Sequence, residues 1–258
     1  MSESITNQTL FDQLVSEAVK QPIAGWDFSY IANRWRHRTT PPWDYDRRVK
    51  EAIAGSRSML DIGTGGGERL ASYAPLPPDM WATEAYPPNV SIARARLGPL
   101  GVTVVQIASK RSLPFEANRF DTVINRHEAF WATELFRVLK PGGRLITQQV
   151  GNRHFLGLNE RLLGRKIEMP ALTSRDRSVQ YLQDAGLVVL ETAETFTETA
   201  FLDVGAIVFY LRMVPWQAPE FDIDRSPAAL GSIHNHIQEH GELLVHGHSY
   251  FIEAQKPA

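Results

Sequence analysis

Residues 58 to 68 read Ser-Met-Leu-Asp-Ile-Gly-Thr-Gly-Gly-Gly-Glu, and few folds accommodate such a stretch. A short apolar run meets an acid, Asp61, and then a turn holding Gly63, Gly65, Gly66 and Gly67. The residues from Glu68 to Tyr73 predict a short helix after it. A parallel strand delivers a nucleotide-like ligand to the carboxyl edge of a sheet in this way. Without a Cβ, glycine lets the backbone take positive φ and come within contact distance of a ligand. Four glycines this close weaken a regular element by roughly 1 kcal/mol each relative to alanine. A tight turn with no ligand is the bland alternative.

Two readings of the turn compete. A dinucleotide site requires G-x-G-x-x-G, with pyrophosphate on the helix N-terminus. Counted from Gly63, that pattern places Glu68 at the third glycine, where a carboxylate would face pyrophosphate. The other reading needs no such conflict. Leu60-Asp61-Ile62-Gly63-Thr64-Gly65-Gly66-Gly67 resembles motif I of the class I S-adenosylmethionine-dependent methyltransferases. The resemblance implies an acid, Asp61, beside the amino-acid end of the cofactor. It also implies that the backbone around Gly63, Thr64, Gly65 and Gly67 lines the methionine and ribose portion. A ligand carrying a sulfonium and an ammonium, and no phosphate, is compatible with acids at the turn.

Further matches follow. Glu84 stands about 20 residues past the turn, at the end of the strand predicted over Met80–Glu84, placed to take ribose hydroxyls, with Ala85 beside it. Ala108-Ser109 begins a loop that carries an adenine-binding acid in relatives; here Ser109, or the backbone at Ala108, takes that place. Glu134 to Gln149 matches again through Leu139-Lys140-Pro141-Gly142-Gly143, read as a turn that ends a helix before the fifth strand. The fourth strand, Phe120–Asn125, ends in Asn125-Arg126-His127-Glu128, at the cleft where cofactor and acceptor meet. Asn125 is counted with the cofactor site, and His127 is the candidate base. Glu128 is an alternative base or a cap for the next helix, and His127 as a purely structural residue is equally open. Trp26, Trp43, Tyr45, Arg126 and Gln148 are candidates to face the acceptor.

The fold implied is an α/β Rossmann-like three-layer sandwich, with a seven-stranded, mostly parallel sheet and an antiparallel C-terminal strand. Residues 1–56 are expected as an N-terminal helical lid or cap. Residues 57–258 form the methyltransferase domain, with helical insertions after residue 150. The helix predicted through Leu10, Phe11, Leu14, Val15, Ala18 and Val19, N-capped by Thr9 and stopped by Pro22, packs outside the domain or covers the ligand; both readings stand. Helices are also expected over 46–54, 87–97, 175–185, 203–214 and 226–240, and a last strand over 250–254.

Composition narrows the partners. A net charge of −2 in 258 residues gives no basic field for nucleic acid, and 43% hydrophobic content is ordinary for a globular protein. Cysteine is absent, which excludes disulfides, thiolate catalysis and zinc-thiolate sites. The polar start and the lack of any run near ~18 apolar residues predict a cytoplasmic protein with no membrane segment. His236-Ile237-Gln238-Glu239-His240 spells H-x-x-E-H, but five residues far from the glycine turn do not make a zinc site, and no metal is expected.

The function expected is methyl transfer from S-adenosylmethionine, with S-adenosylhomocysteine as product, to a small-molecule acceptor with an aromatic or apolar part. Two alternatives stay open. One is RNA methylation, supported by a basic strip at Arg34, Arg36 and Arg38; the other is a cofactor-binding module without catalysis. A nicotinamide dehydrogenase is more distant still. Oligomeric state is not readable.

Overall fold

The computed structural model describes residues 2–23, 26–108, 111–168 and 174–258, with the side chains of 2–5 left aside. Eight strands are ordered β1-β7-β8-β6-β5-β2-β3-β4, one more than expected. They are β1 (Trp35–His37), β2 (Ser58–Ile62), β3 (Asp79–Glu84), β4 (Thr103–Gln106), β5 (Phe120–Arg126), β6 (Leu139–Val150), β7 (Val188–Phe201) and β8 (Leu243–Gln255). The described helices are α1 (Ser2–Lys20), α2 (Tyr45–Gly55), α3 (Glu68–Ala71), α4 (Pro87–Leu97), α5 (Ala132–Val138), α6 (Leu156–Leu163), α7 (Arg175–Asp184), α8 (Val204–Met213) and α9 (Pro227–His240). The chain divides into two compact units, one of residues 42–152, 170–195 and 249–258, the other of residues 1–41, 153–169 and 196–248.

In the first unit β4, β3, β2, β5 and β6 run parallel, and β8 joins β6 antiparallel, Arg144 opposite Gln255 through Val150 opposite Ser249. Side chains alternate between faces along a strand. Met59, Ala82, Ile124, Ile146 and Phe251 therefore join one buried cluster with Tyr45 and Val49 of α2. Leu60, Ile62, Val123, Leu145 and Ile252 join another with Leu135 and Leu182. Covering both faces is what gives parallel strands their near-continuous apolar runs. Asp44 caps α2 by accepting from the Arg47 amide at 2.9 Å, and Ser174 caps α7 from the Arg177 amide at 3.2 Å.

One turn is built differently from expectation. Pro141 and Gly142 do not end a helix, because α5 stops at Val138 and β6 already pairs Leu139 with Phe120. The ladder then shifts register before Thr122, so residues 140–143 form an irregularity within the strand. A Cβ on Gly143 would lie 2.8 Å from the Lys140 carbonyl and 3.0 Å from that of Phe120, which requires glycine there. The Lys256 ammonium closes the end of α5, donating to the carbonyls of Phe136 and Leu139 at 2.8 and 3.0 Å.

The second unit is centred on α8, whose residues are all buried except Arg212. A helix apolar on every side belongs in a core. A Cβ on Gly205 would lie 2.7 Å from the Leu14 carbonyl, so α1 comes against α8 at that glycine. Arg212 takes the Ala18 and Gln21 carbonyls at 2.6 and 2.9 Å where Pro22 halts α1. α1 begins at Ser2, which places Thr9 inside the helix and corrects its expected role as N-cap. The aromatic stretch before residue 38 contains the unforeseen edge strand β1, antiparallel to β7. No described helix is long and apolar enough to cross a membrane.

Candidate active site

The glycine turn leaves β2 at the carboxyl edge, and the amides of Gly63 and Thr64 both bond the Thr83 carbonyl of β3 at 3.0 Å. Gly63 has φ +74°, and a Cβ there would lie 2.4 Å from Cγ of Glu128. The position thus excludes a side chain on both conformational and steric grounds. Gly67, at φ +81°, is also closely packed: a Cβ there would lie 2.7 Å from Cγ of Leu97 in α4. Arg96 of α4 ties the turn down by donating to the Gly66 carbonyl and to Glu68.

Glu84, at the tip of β3, is buried and turned onto the backbone. Its Oε2 accepts from the Gly65 amide at 2.7 Å, while Oε1 accepts from Ala85 and Tyr86 at 2.8 and 2.7 Å. Glu84 therefore locks the glycine turn to the start of the next loop. A carboxylate has about four acceptor positions, so three amides leave capacity for a hydroxyl.

Asp61 shares this edge, and no described cation pairs with it. Burial, reinforced by the charge of Glu84 and opposed by Thr64, pushes its carboxyl up to about 6. Ala108 is exposed two residues past the end of β4, and Ser109 lies outside the described residues.

At the tip of β5 the candidates separate. Asn125 is fully buried; its Oδ1 accepts from Thr147 at 3.1 Å and from Gln149, while its Nδ2 has no partner. Arg126 is half-buried, and its side chain forms neither a hydrogen bond nor an ion pair with any described residue. Burial holds its guanidinium below its ordinary range, and the charge of Arg69 adds to this.

His127 is exposed, at φ +63°. The Trp43 indole donates to Oε1 of Gln148 at 2.8 Å, so the Gln148 amide nitrogen faces Nε2 of His127 at 3.1 Å. Both nitrogens cannot donate, so in this arrangement Nε2 accepts, the role it has in the Nδ1–H tautomer. Glu128 accepts from the Ala129 amide and lies against Gly63; it does not cap α5, which starts at Ala132 after Trp131.

The structure thus brings Asp61, the glycine turn, Glu84, Asn125, Arg126, His127, Trp43 and Gln148 into one unit. Trp26 belongs to the other, half exposed and in ring contact with Phe28 and Trp216. The proposed basic strip is largely neutralised: Arg34 pairs with Asp203 and Arg38 with Glu242. His236 and His240 stack their rings at 4.3 Å, and among the described residues no three metal-binding side chains converge. The sequence reading missed a cluster beneath Arg126, where Asp46 accepts from Arg69 and from the Tyr73 hydroxyl, both at 2.5 Å. Its only signal was the run of acid and arginines opening α2.

Comparison with known proteins gives the same reading. Residues 60–147 match a family described as a methyltransferase domain. A ubiquinone biosynthesis O-methyltransferase of Sinorhizobium medicae is 28% identical over 123 residues, 45% of this chain and 49% of that protein. A ubiquinone/menaquinone biosynthesis C-methyltransferase of Chromobacterium violaceum is 29% identical over 115 residues, 40% of this chain and 47% of that protein. The chain thus spans about half the length of these curated relatives. A solved structure of a candidate methyltransferase from Bacillus halodurans C-125 superposes with TM-score 0.59 at 21% identity, covering 83% of this chain and 99% of that one, a likeness of fold. The glycine turn and the acids beside it thus lie within residues 60–147, the stretch that matches a methyltransferase domain.

Proposed function

We propose that the carboxyl edge of β2, β3 and β5 binds S-adenosylmethionine, and that the acceptor is a small molecule with an aromatic or apolar part. The observation that carries the cofactor reading is the uncompensated Asp61 carboxyl beside a turn whose Gly63 admits no side chain. Burial raises such a carboxyl because its charge lacks a partner, and a ligand ammonium supplies one. Glu84 would take ribose hydroxyls with its remaining acceptor capacity. Ala85, Ala108 and Ser109 would line the nucleoside, and Asn125 the methionine end. When bound, the cofactor supplies an electrophilic methyl group.

The chain's own contribution is placement of the acceptor, with a base only where the nucleophile must lose a proton. Trp43 and Gln148 fix His127 in the tautomer whose Nε2 can accept. An acceptor hydroxyl would reach that lone pair by displacing the Gln148 amide. The relatives named for ubiquinone biosynthesis support a search among phenols and quinols. The lid assigned to residues 1–56 belongs to the same proposal, and cofactor should then protect that segment from limited trypsin digestion.

The test is calorimetric titration with S-adenosylmethionine, S-adenosylhomocysteine and NAD, with Asp61→Ala alongside. Tight binding of the first two, weakened about 100-fold in the variant, supports the reading at the ~3 kcal/mol expected for a lost charged contact. Binding of NAD alone, or of none, overturns it. A panel of phenols with radiolabelled donor then assays the acceptor; a cofactor that binds while no acceptor is methylated would favour the non-catalytic module.

A further inference from the structure

Half-buried arginines elsewhere in this unit have found carboxylates: Arg48 bonds Glu191 at 2.5 Å and Arg137 bonds Glu134 at 2.7 Å. Arg126 has found none. Asp46, whose charge acts on Arg126, is already held by Arg69 and Tyr73, and Arg69 itself repels Arg126. An unpaired cation out of water is costly, and such a group persists where a ligand completes it.

Strand register says which ligand group. Asp61 of β2 lies opposite Ile124 of β5, and Arg126 is two residues beyond Ile124. Side chains two apart share a face, so Asp61 and Arg126 project from the same face of neighbouring strands, both at the carboxyl edge. Diagonal neighbours of this kind are about 7–8 Å apart at Cα, within reach of long side chains. Tyr45, at the start of α2, is buried in the same cluster as Ile124 of this sheet face, and the charges of Asp61 and Arg126 both act on its hydroxyl. A lone carboxylate and a lone guanidinium on one face complement a zwitterion.

We propose that Arg126, with the Tyr45 hydroxyl, receives the carboxylate of the cofactor's amino-acid tail, while Asp61 receives its ammonium. Arg126 thereby becomes a cofactor-specificity residue and not an acceptor contact. This inference rests on the cofactor reading above.

Three probes separate the possibilities: S-adenosylhomocysteine, its decarboxylated analogue that keeps the amine, and 5′-methylthioadenosine, which lacks the tail. In calorimetry the wild-type protein should prefer S-adenosylhomocysteine over the decarboxylated analogue by about 10- to 100-fold, the range of a charged hydrogen-bonded contact. Arg126→Gln should lose S-adenosylhomocysteine affinity by the same factor and bind the decarboxylated analogue as the wild type does. Arg126→Lys should recover part of the preference. The melting temperature of ligand-free Arg126→Gln should not fall, because an unpaired charge is removed; should that variant fail to fold, Arg126→Lys carries the comparison. Arg126 variants that leave the preference intact, or weaken both probes equally, overturn the assignment. A wild-type protein that binds none of the three overturns the cofactor reading instead.

Discussion

Arg34 and Asp203 in one compact unit, and Arg126 and Asp61 in the other, are the same two side-chain types at comparable depth, yet only the first two meet. Arg34 grips Asp203 with two nitrogens at 2.7 and 2.5 Å, and Asp203 also caps α8 through the Ala206 amide at 2.9 Å. Both charges of this pair are satisfied by the chain itself. Asp61 and Arg126 share a sheet face with no counter-ion among the described residues. Satisfied buried charge holds a fold together; unsatisfied charge at a strand tip is kept where a ligand will complete it.

The largest effect should come from breaking the closed pair. Asp203→Ala strands the Arg34 guanidinium and removes the cap of α8, and should cost about 3–5 kcal/mol of stability by chemical denaturation. Asp61→Asn is the opposite case. It should weaken S-adenosylhomocysteine binding about 100-fold and leave the ligand-free fold at least as stable as the wild type. A loss of stability in Asp61→Asn like that of Asp203→Ala would erase the distinction between the two sets.

The pH dependence follows with its sign. Folding raises the Asp61 carboxyl from 3.8 to about 6, so the folded state holds this proton more tightly than the unfolded state. The stability it contributes is complete below the unfolded value and is lost as pH rises from about 4 to about 6, by at most ~3 kcal/mol at 1.36 kcal/mol per pH unit. Binding runs the other way. If the ionised carboxyl receives an ammonium, affinity for S-adenosylhomocysteine should fall about tenfold per pH unit below about 6, and Asp61→Asn should flatten that profile.

Much of this edge was legible in the sequence, because the features that mark it are local. Ser58–Ile62 and Pro87–Leu97 appear where apolar runs, prolines and glycines place them. A sequence separation of 19 between Gly65 and Glu84 brings the carboxylate back onto the turn. What was not legible depends on partners distant in the chain. β8 begins at Leu243, seven residues before the strand expected at Tyr250. Leu243, Val245 and Gly247 are buried in alternation with exposed Leu244 and His246, but histidines and a glycine hide that period. β1 is three residues whose pairing to 199–201 no local pattern announces. The ring contacts of Trp26 with Phe28 and with the distant Trp216 are likewise invisible in the local pattern. That Arg126 lacks a counter-ion is a fact about every other carboxylate in its surroundings, which a linear reading does not contain.

A middle-sized effect probes the turn that holds Asp61 in place. Gly63→Ala adds a Cβ 2.4 Å from Cγ of Glu128 at φ +74°, and should lose about 1–2 kcal/mol through the backbone alone. Adding Glu128→Ala removes the clash and not the dihedral penalty, so it should recover only the steric share. Full recovery in denaturation melts would show that the turn does not require glycine for its conformation.

The smallest effect tests whether the polar groups beside the unpaired charges are themselves preset. Trp43 is a donor only, and its bond to Oε1 of Gln148 dictates that the amide nitrogen faces His127. Trp43→Phe keeps the ring and removes the donor. The cost in stability should be about 1 kcal/mol, the usual net worth of one such bond. Its consequence is orientational: Gln148 becomes free to turn its oxygen toward His127, which favours a proton on Nε2. Nitrogen chemical shifts of the His127 ring should report the Nδ1–H tautomer in the wild type and a population of the Nε2-protonated ring in Trp43→Phe. An unchanged ring spectrum would mean that something other than Trp43 sets the amide. The contrast between the two units would then rest on the charges alone, with the neutral groups of the site adapting to whatever binds.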